Sequence, residues 1–182
     1  MSSPSDISLV AQVIVFKNKK AFDHLVKKYQ SPIRRFFLNL TLGDMETSND
    51  LAQETFIKAY LNLKEFRNLS GFSTWLYKIA YNVFYDYIRS RKDFTDLETC
   101  KIDSLYSTRQ NDIGQTMDIY SSLQVLSEKE RSCIILFYME DITAEKIAGI
   151  LNCPEATVKS HLLRAKEKIS VYLKQNGYDG NR

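Results

Sequence analysis

Glycine, proline and cysteine are all scarce in this chain: six, three and three among 182 residues. So few Gly and Pro, beside many Leu, Ile, Lys and Glu, favour an all-helical protein over a sheet protein. Cys100, Cys133 and Cys153 stand far apart and form no C-x-x-C pair, so neither a disulfide framework nor a zinc site is indicated, and a reducing compartment is the natural setting. The two histidines, His24 and His161, are also remote from each other, and there is no Gly-rich nucleotide loop and no Ser with a plausible base. An enzyme would be left without candidates for its active site, and neither a metal nor a cofactor is expected. Long apolar runs are missing as well. The stretch from Leu9 to Phe16 is interrupted by Gln12 and lacks a basic leader or a small-residue cleavage site. It reads as neither a signal peptide nor a membrane span, so no direct membrane insertion and a cytoplasmic location are expected. A strong excess of one charge is absent too: the net charge of +3 does not declare a nucleic-acid binder by itself, and the distribution of charge matters more than its sum.

What the chain does have is helical periodicity. At 44% hydrophobic it is long enough for one large or two small domains with modest cores. Ser5 or Asp6 can cap a first helix through Phe16, and residues 17–20 supply a polar break. Phe22, Leu25, Val26 and Tyr29 follow at i, i+3, i+4, i+7; Pro32 then begins another segment in which Ile33, Phe36, Phe37 and Leu40 repeat that spacing. Lys27, Lys28, Arg34 and Arg35 read as solvated faces. Residues 50–63 form a helix whose core stripe is Ala52, Phe56, Ala59 and Leu63, while Asp50, Gln53, Glu54, Ile57 and Leu61 gather on the far side. An apolar centre within a polar rim suits docking on another protein. An ordinary solvated face would account for the charges but not for Ile57 beside Leu61.

The spacing predicts one helix from Phe72 to Lys92 with two unlike faces. Leu76, Ile79, Ala80, Val83 and Tyr87 form the core stripe. The opposite stripe carries Thr74, Lys78, Tyr81, Asn82, Tyr85 and Arg89, with Trp75 and Tyr77 on its flanks. Rings interleaved with cations suit a single-stranded nucleic acid, whose bases stack on aromatics at about 1–3 kcal/mol each while phosphates pair with Lys and Arg. The same face could equally pack on another helix. The preceding loop, Phe66 to Phe72, offers Asn68, Ser70 and Gly71 either as hydrogen-bonding groups for a base that has left its strand or as a plain connection.

From residue 93 to 117 the periodicity fades into a polar, mostly acidic stretch, expected to be a flexible linker between two domains. The second domain starts around Asp118 with Ile119, Leu123 and Leu126 on a short helix. Ser127-Glu128-Lys129-Glu130 is a capping box for a helix through Tyr138, and Met139-Glu140-Asp141 breaks it. Thr143 caps a short helix with Ile147, Ala148 and Leu151; Asn152-Cys153-Pro154 turns the chain into a last helix from about Glu155 to Leu173. This is the helix-turn-helix pattern. On the last helix Val158, Leu162, Ala165 and Ile169 face the core, while Ala156, Thr157, Ser160 and Arg164 point away with Lys159 and His161 on the flanks. Such a face enters a major groove, where Ala and Thr meet thymine methyls, Ser bonds either partner and Arg takes guanine; Lys166 and Lys168 are placed for phosphates. The chain is therefore expected to be all-α, with two small helical domains joined by a flexible acidic linker, the C-terminal one containing the helix-turn-helix.

Three motifs, DLAQETF from Asp50, FSTWLYKIA from Phe72 with Asn82 following, and Glu145-Lys146-Ile147-Ala148 leading to TVKSHLLRA from Thr157, stand in an order and at spacings that resemble the extracytoplasmic-function (ECF) group of bacterial RNA polymerase sigma factors. The resemblance covers nearly the whole chain. It implies a region 2 domain over 1–92, a linker over 93–117 and a region 4 domain over 118–182. It also implies that Asp50, Gln53 and Glu54, with Ile57 and Leu61 nearby, contact core RNA polymerase. The motif from Phe72 would melt the promoter minus-10 element and capture a flipped non-template base near Asn68 to Phe72. The last motif would read the minus-35 element as duplex. Promoter DNA, core polymerase and an anti-sigma factor are the implied partners, and the linker is expected to thread the RNA exit path or to shield the basic face. Two departures stand out: Tyr81 occupies a position where the family often has a basic residue, and Asn18-Lys19-Lys20 replaces a more usual Gly-Asp turn. The rival reading is a helix-turn-helix regulator that acts without docking on core polymerase; it leaves the face around Ile57 unused.

Overall fold

The computed structural model describes residues 5–95 and 114–177, with side chains over 5–91 and 119–177. The helices are α1 (Asp6–Phe16), α2 (Lys19–Leu40), α3 (Met45–Leu61), α4 (Phe72–Thr95), α5 (Gly114–Gln124), α6 (Glu128–Ile134), α7 (Ala144–Leu151) and α8 (Glu155–Gln175). A 3₁₀ turn over Leu63–Glu65 and a π-helical turn over Ile135–Met139 complete the described residues, which include no strand. None of these helices is long and apolar enough to cross a membrane.

Caps place the helix starts. Ser5 accepts a hydrogen bond from the backbone of Ser8, Asn18 from Lys20, and Asp44 from Thr47, each satisfying a donor that the first helical turn leaves unpaired. Asp6 then ties α1 to α2: Lys28 Nζ lies 2.6 Å from one carboxylate oxygen and the Tyr29 hydroxyl donates to the other at 2.6 Å. Lys28 is thus engaged rather than simply solvated.

Pro32 was expected to begin a helix and instead lies inside one, since α2 runs unbroken from Lys19 to Leu40. A proline in a helix interior costs about 3 kcal/mol through a missing N–H and a ring clash. Against that, Leu25, Tyr29, Ile33, Phe36, Phe37 and Leu40 form one continuous buried stripe across the proline, and each large apolar side chain so buried contributes about 1.5–3 kcal/mol. Burial of the whole stripe outweighs the break. Around it α3, the 3₁₀ turn and α4 close the N-terminal core with Ala52 and Ala59, Leu63, and Leu76, Ala80 and Val83 respectively.

In the C-terminal half the capping box is present in full, with Ser127 Oγ accepting from the backbone of Glu130 and the Glu130 carboxylate accepting from the backbone of Ser127. The helix expected to continue to Tyr138 changes pitch at Ile135. Its π turn is sealed by bonds from the Glu140 N–H to the Ile135 carbonyl at 3.1 Å and from Ile142 to Leu136 at 3.0 Å, with Asp141 in the left-handed region at φ 52°. Thr143 has the backbone of an N-cap, although its hydroxyl makes no capping bond. Asn152 ends α7 in the left-handed conformation, as its position suggested, and Pro154 precedes α8. Val158, Leu162 and Ala165 bury one face of α8 against α6 and α7.

The two halves pack against each other. α4 lies on α7, and α2 meets α6 and the π turn. At one end of the seam, Gly43 has φ 94°, which favours glycine, and a side chain there would stand 2.9 Å from the ring of Tyr120 on α5 and push it aside. The expected linker is shorter than its composition suggests, since 93–95 continue α4 and 114–117 begin α5; the rest of it, with the shielding and threading roles expected of it, lies outside the described residues.

Candidate nucleic-acid interface

Along α4 the stripe read as a strand platform divides in two. Lys78, Asn82, Tyr85 and Arg89, at i, i+4, i+7 and i+11, are exposed, with Tyr85 at 53%. Thr74 and Tyr81 are buried, at 6% and 8%, and so is Tyr77, which the sequence places on the flank, at 4%. The expectation of one open face is corrected here: the C-terminal half covers this side of α4. Burial, reinforced by the thiols of Cys133 and Cys153, pushes the Tyr81 phenol up to about 12. Tyr81 touches Tyr85 with ring centroids 6.4 Å apart, and together with Phe84, Ile88 and Arg89 they line a cleft of about 200 Å³ closed on the other side by Glu128, Lys129 and Ser132 of α6. A tyrosine ring serves equally as a solvent-facing platform or as core, and only the neighbour across it decides which.

The loop before α4 stands on an aromatic base. Phe66, Phe72 and Trp75 surround one another with ring centroids 5.5–5.7 Å apart, and Phe72 also meets Tyr29 at 5.4 Å. Phe72 is therefore buried and Trp75 half-buried. Above them Asn68 and Gly71 both take positive φ, 54° and 79°, and this lifts Ser70 and Leu69 clear of the base. Leu69 is 90% exposed, a tip residue that its neighbours Asn68 and Ser70 overshadowed in the sequence.

On α3, Asp50, Gln53, Glu54, Ile57 and Leu61 share one exposed face, with Ile57 at 60% and Leu61 at 70%. Glu54 is held by Lys58 at 2.8 Å, which also approaches Asp86 of α4 at 3.6 Å and so keeps this face in register with the next helix.

The outer face of α8 is open over its first turns. Ala156, Lys159, Ser160 and Arg164 are exposed, Thr157 is half-buried, and Leu163 stands free at 61%. Lys159 pairs with Glu155 at 2.7 Å and Ser160 returns its hydroxyl to the Ala156 carbonyl at 2.9 Å, so both keep further hydrogen-bonding capacity for a groove. Two predicted contacts turn inward instead. Lys168 Nζ lies 2.7 Å from Glu130 Oε2, whose side chain is only 5% exposed, so it clamps the capping box of α6 rather than standing ready for a phosphate. Burial would raise the Glu130 carboxyl, but the bonds from Lys168 and from the backbone and hydroxyl of Ser127 hold it below its ordinary value. His161 is half-buried, with Nδ1 sealed from solvent and without a hydrogen-bond partner among the described residues; burial holds its imidazole below the usual value.

The residues that sequence reasoning missed lie in the seam. Glu140, read as part of a helix break, has a side chain 4% exposed and takes Arg35 in a two-pronged pair, Nε and Nη2 each at 2.9 Å. The Tyr77 hydroxyl donates to the same carboxylate at 2.5 Å. Arg35, its side chain half exposed, is thus paired and not only solvated. No sequence signal could have paired it with a residue 105 positions away.

Models of sigma-70 region 2 and sigma-70 region 4 match residues 25–94 and 116–169, so the class is that of the sigma-70 regions. Among relatives, the RNA polymerase sigma-H factor of Pseudomonas aeruginosa is 35% identical over 84% of this chain and 86% of its own length, and the ECF RNA polymerase sigma factor SigW of Bacillus subtilis is 31% identical over 86% and 91%. Among solved structures, the sigma factor RpoE in complex with the anti-sigma factor NepR from Bartonella quintana superposes with a TM-score of 0.72 at 27% identity, covering 85% of this chain and 98% of that one. The chain belongs to the ECF RNA polymerase sigma factors, proteins of promoter-directed transcription initiation with core RNA polymerase.

Proposed function

We propose that the chain divides its work among three faces, with 1–92 as the region 2 domain, 93–117 as the connection and 118–182 as the region 4 domain. α3 docks on core polymerase through Ile57 and Leu61 within a rim of Asp50, Gln53 and Glu54. The loop at Asn68, Ser70 and Gly71, braced from beneath by buried Phe72, and the exposed part of the α4 stripe take the non-template strand of the minus-10 element. Lys78 and Arg89 neutralise phosphates, Asn82 bonds base edges, and Tyr85 and Trp75 offer rings. Leu69, apolar and projecting beside that aromatic base, acts as a wedge between neighbouring bases. On α8, Ala156, Thr157, Lys159, Ser160 and Arg164 read the minus-35 duplex. The protein performs no covalent chemistry of its own and works in the cytoplasm, where polymerase and promoter are. A net charge of +3 neutralises few phosphates, so the free protein binds DNA weakly and tethering by polymerase raises the effective concentration of both domains at their elements. A solved relative bound to an anti-sigma factor supports an inhibitory partner of that kind here.

The observation that carries this reading over a polymerase-independent regulator is the pair Ile57 and Leu61, both well over half exposed at the centre of a polar rim. A purified-core pull-down tests it. Wild type retains core subunits and supports initiation in reconstituted transcription, while Ile57→Glu with Leu61→Glu loses both and keeps its helical circular dichroism. No retention of core by the wild type returns the chain to the class of independent regulators.

A further inference from the structure

The first helix is apolar on both sides. Leu9, Val10 and Val13 bury one side of α1, which rests on α2 and the 3₁₀ turn, and that stripe is all a surface helix needs. Yet Ile7, Ala11 and Val15, at i, i+4 and i+8, form a second stripe that faces solvent, and Phe16 projects at its end. Ile7, Val15 and Phe16 are 54%, 67% and 78% exposed. The polymerase-docking face and the two DNA faces use none of these residues. Cations gather at the same end. Lys17, Lys19 and Lys20 are all exposed, and none has an ion-pair partner among the described residues. Lys17 closes α1 in the left-handed region at φ 51°, where a lysine is strained and a glycine is not. The residues that follow it are the Asn18-Lys19-Lys20 departure from a Gly-Asp turn, for which the promoter reading has no use. Lys27 lies on the same exposed side of α2 as Lys20. From residue 5 to 31 five lysines stand against two aspartates, so this stretch carries a formal +3, as much as the entire chain. One of the two, Asp6, is already held by Lys28 and Tyr29.

We propose that the outer face of α1 and the lysine turn after it form a contact site for an anionic lipid surface. Exposed apolar residues beside clustered cations are what such a surface takes up: Ile, Val and Phe enter the boundary between headgroups and acyl chains, while lysines reach the headgroup phosphates along their apolar stems. A nucleic acid would answer the charge but would leave Ile7 and Val15 without apolar surface to meet. The face is the outside of a helix, convex rather than grooved, and a deformable lipid surface fits that shape without a matching pocket. None of the described helices can span a membrane, so the protein lies on the surface and the contact is reversible. Each lysine near an anionic surface strengthens binding about fivefold, and the attraction fades beyond a Debye length, so the contact weakens with salt. The lipid contact stands apart from the sigma reading: it gives the free protein a second place to reside, reached by a face that takes no part at the promoter.

Co-sedimentation of the full-length protein with vesicles tests this, using phosphatidylcholine alone and phosphatidylcholine with about one third phosphatidylglycerol. Wild type is expected to pellet with the anionic vesicles, to stay in solution with the zwitterionic ones, and to be released by high salt. Phe16→Ser is expected to weaken binding at least tenfold, and Lys17→Gly with Lys19→Gln and Lys20→Gln about a hundredfold. Glycine suits the backbone at position 17, so Lys17→Gly alone lowers affinity about fivefold while its unfolding midpoint stays level or rises, which a folding defect would not do. Wild type that remains in solution with both kinds of vesicle overturns the proposal. So does Phe16→Ser binding as tightly as wild type, because the lysines would then be a polyanion patch without an apolar anchor. A core-polymerase pull-down with the same variants completes the test. Variants that retain core as well as wild type does support the separate lipid site, whereas loss of core by Phe16→Ser alone assigns the face to polymerase and overturns it. Wild type that pellets with anionic vesicles but retains no core refutes the sigma reading and leaves the lipid contact standing.

Discussion

Two helices of this protein carry candidate DNA faces, and they depend on their surroundings differently. The outer face of α8 is open because its own hairpin suffices to bury the other side: Val158, Leu162 and Ala165 find α6 and α7 within some forty residues of sequence, about the span of one such motif. The outer face of α4 is open at Lys78, Asn82, Tyr85 and Arg89 but buried at Thr74, Tyr77 and Tyr81, and across Tyr77 and Tyr81 lies a different half of the chain. A duplex reader can therefore be read from local pattern, whereas a strand platform built of rings cannot. A tyrosine is content on either side of an interface, so only the surface that comes to rest against it decides its place.

The largest expected effect lies in a pair of neighbouring tyrosines. Tyr81→Ala removes a buried ring and costs about 3 kcal/mol of packing, whereas Tyr85→Ala, at an exposed position, leaves stability nearly unchanged. Denaturant unfolding of both variants measures the gap, and equal midpoints would erase the distinction drawn between the two parts of the stripe. On α8, Arg164→Ala is expected to remove about 1–3 kcal/mol of base discrimination at one minus-35 position, without altering the unfolding midpoint. Binding to promoter duplexes permuted one position at a time reads this; a uniform loss over all sequences would demote Arg164 to a phosphate contact.

Lys168→Ala separates the inward from the outward residues of the same helix. Loss of its bond to Glu130 lowers stability by on the order of 1 kcal/mol, the lysine being half exposed, and leaves the salt dependence of duplex binding in place. Lys166→Ala should show the reverse pattern, a shallower salt dependence and an unchanged midpoint.

The smallest effect concerns pH. Burial holds His161 below its ordinary value of 6.5, so as pH falls through the window beneath 6.5 the unfolded chain takes up a proton before the folded one does. Stability therefore rises with pH across that window and is lost on acidification. In His161→Gln the unfolding midpoint should vary less over the same range; an unchanged pH profile would place the imidazole in solvent.

Much of the architecture was legible before any coordinates. Helix starts at Asp6 and Glu128, the left-handed stop at Asn152, and the core stripes of α3, α4 and α8 follow from capping chemistry and the 3.6-residue repeat, which act within a turn or two of the chain. The exposed pair Ile57 and Leu61 was legible too, because apolar residues on the polar side of an amphipathic pattern are an anomaly at any range.

Tertiary structure alone decided the remainder. Pro32 sits inside α2 because a stripe running past it buries more than the proline costs. Lys168 turned from a prospective phosphate contact into the partner of Glu130, 38 residues away, and Arg35 from a solvated cation into the partner of Glu140, 105 residues away. Each of these outcomes depends on which surface comes to rest against which, a choice made by the burial of both halves together. Local pattern cannot encode that choice when the residues involved are amphipathic: Tyr, Lys and Arg carry an apolar stem or ring and a polar tip, and they suit water and interface about equally well.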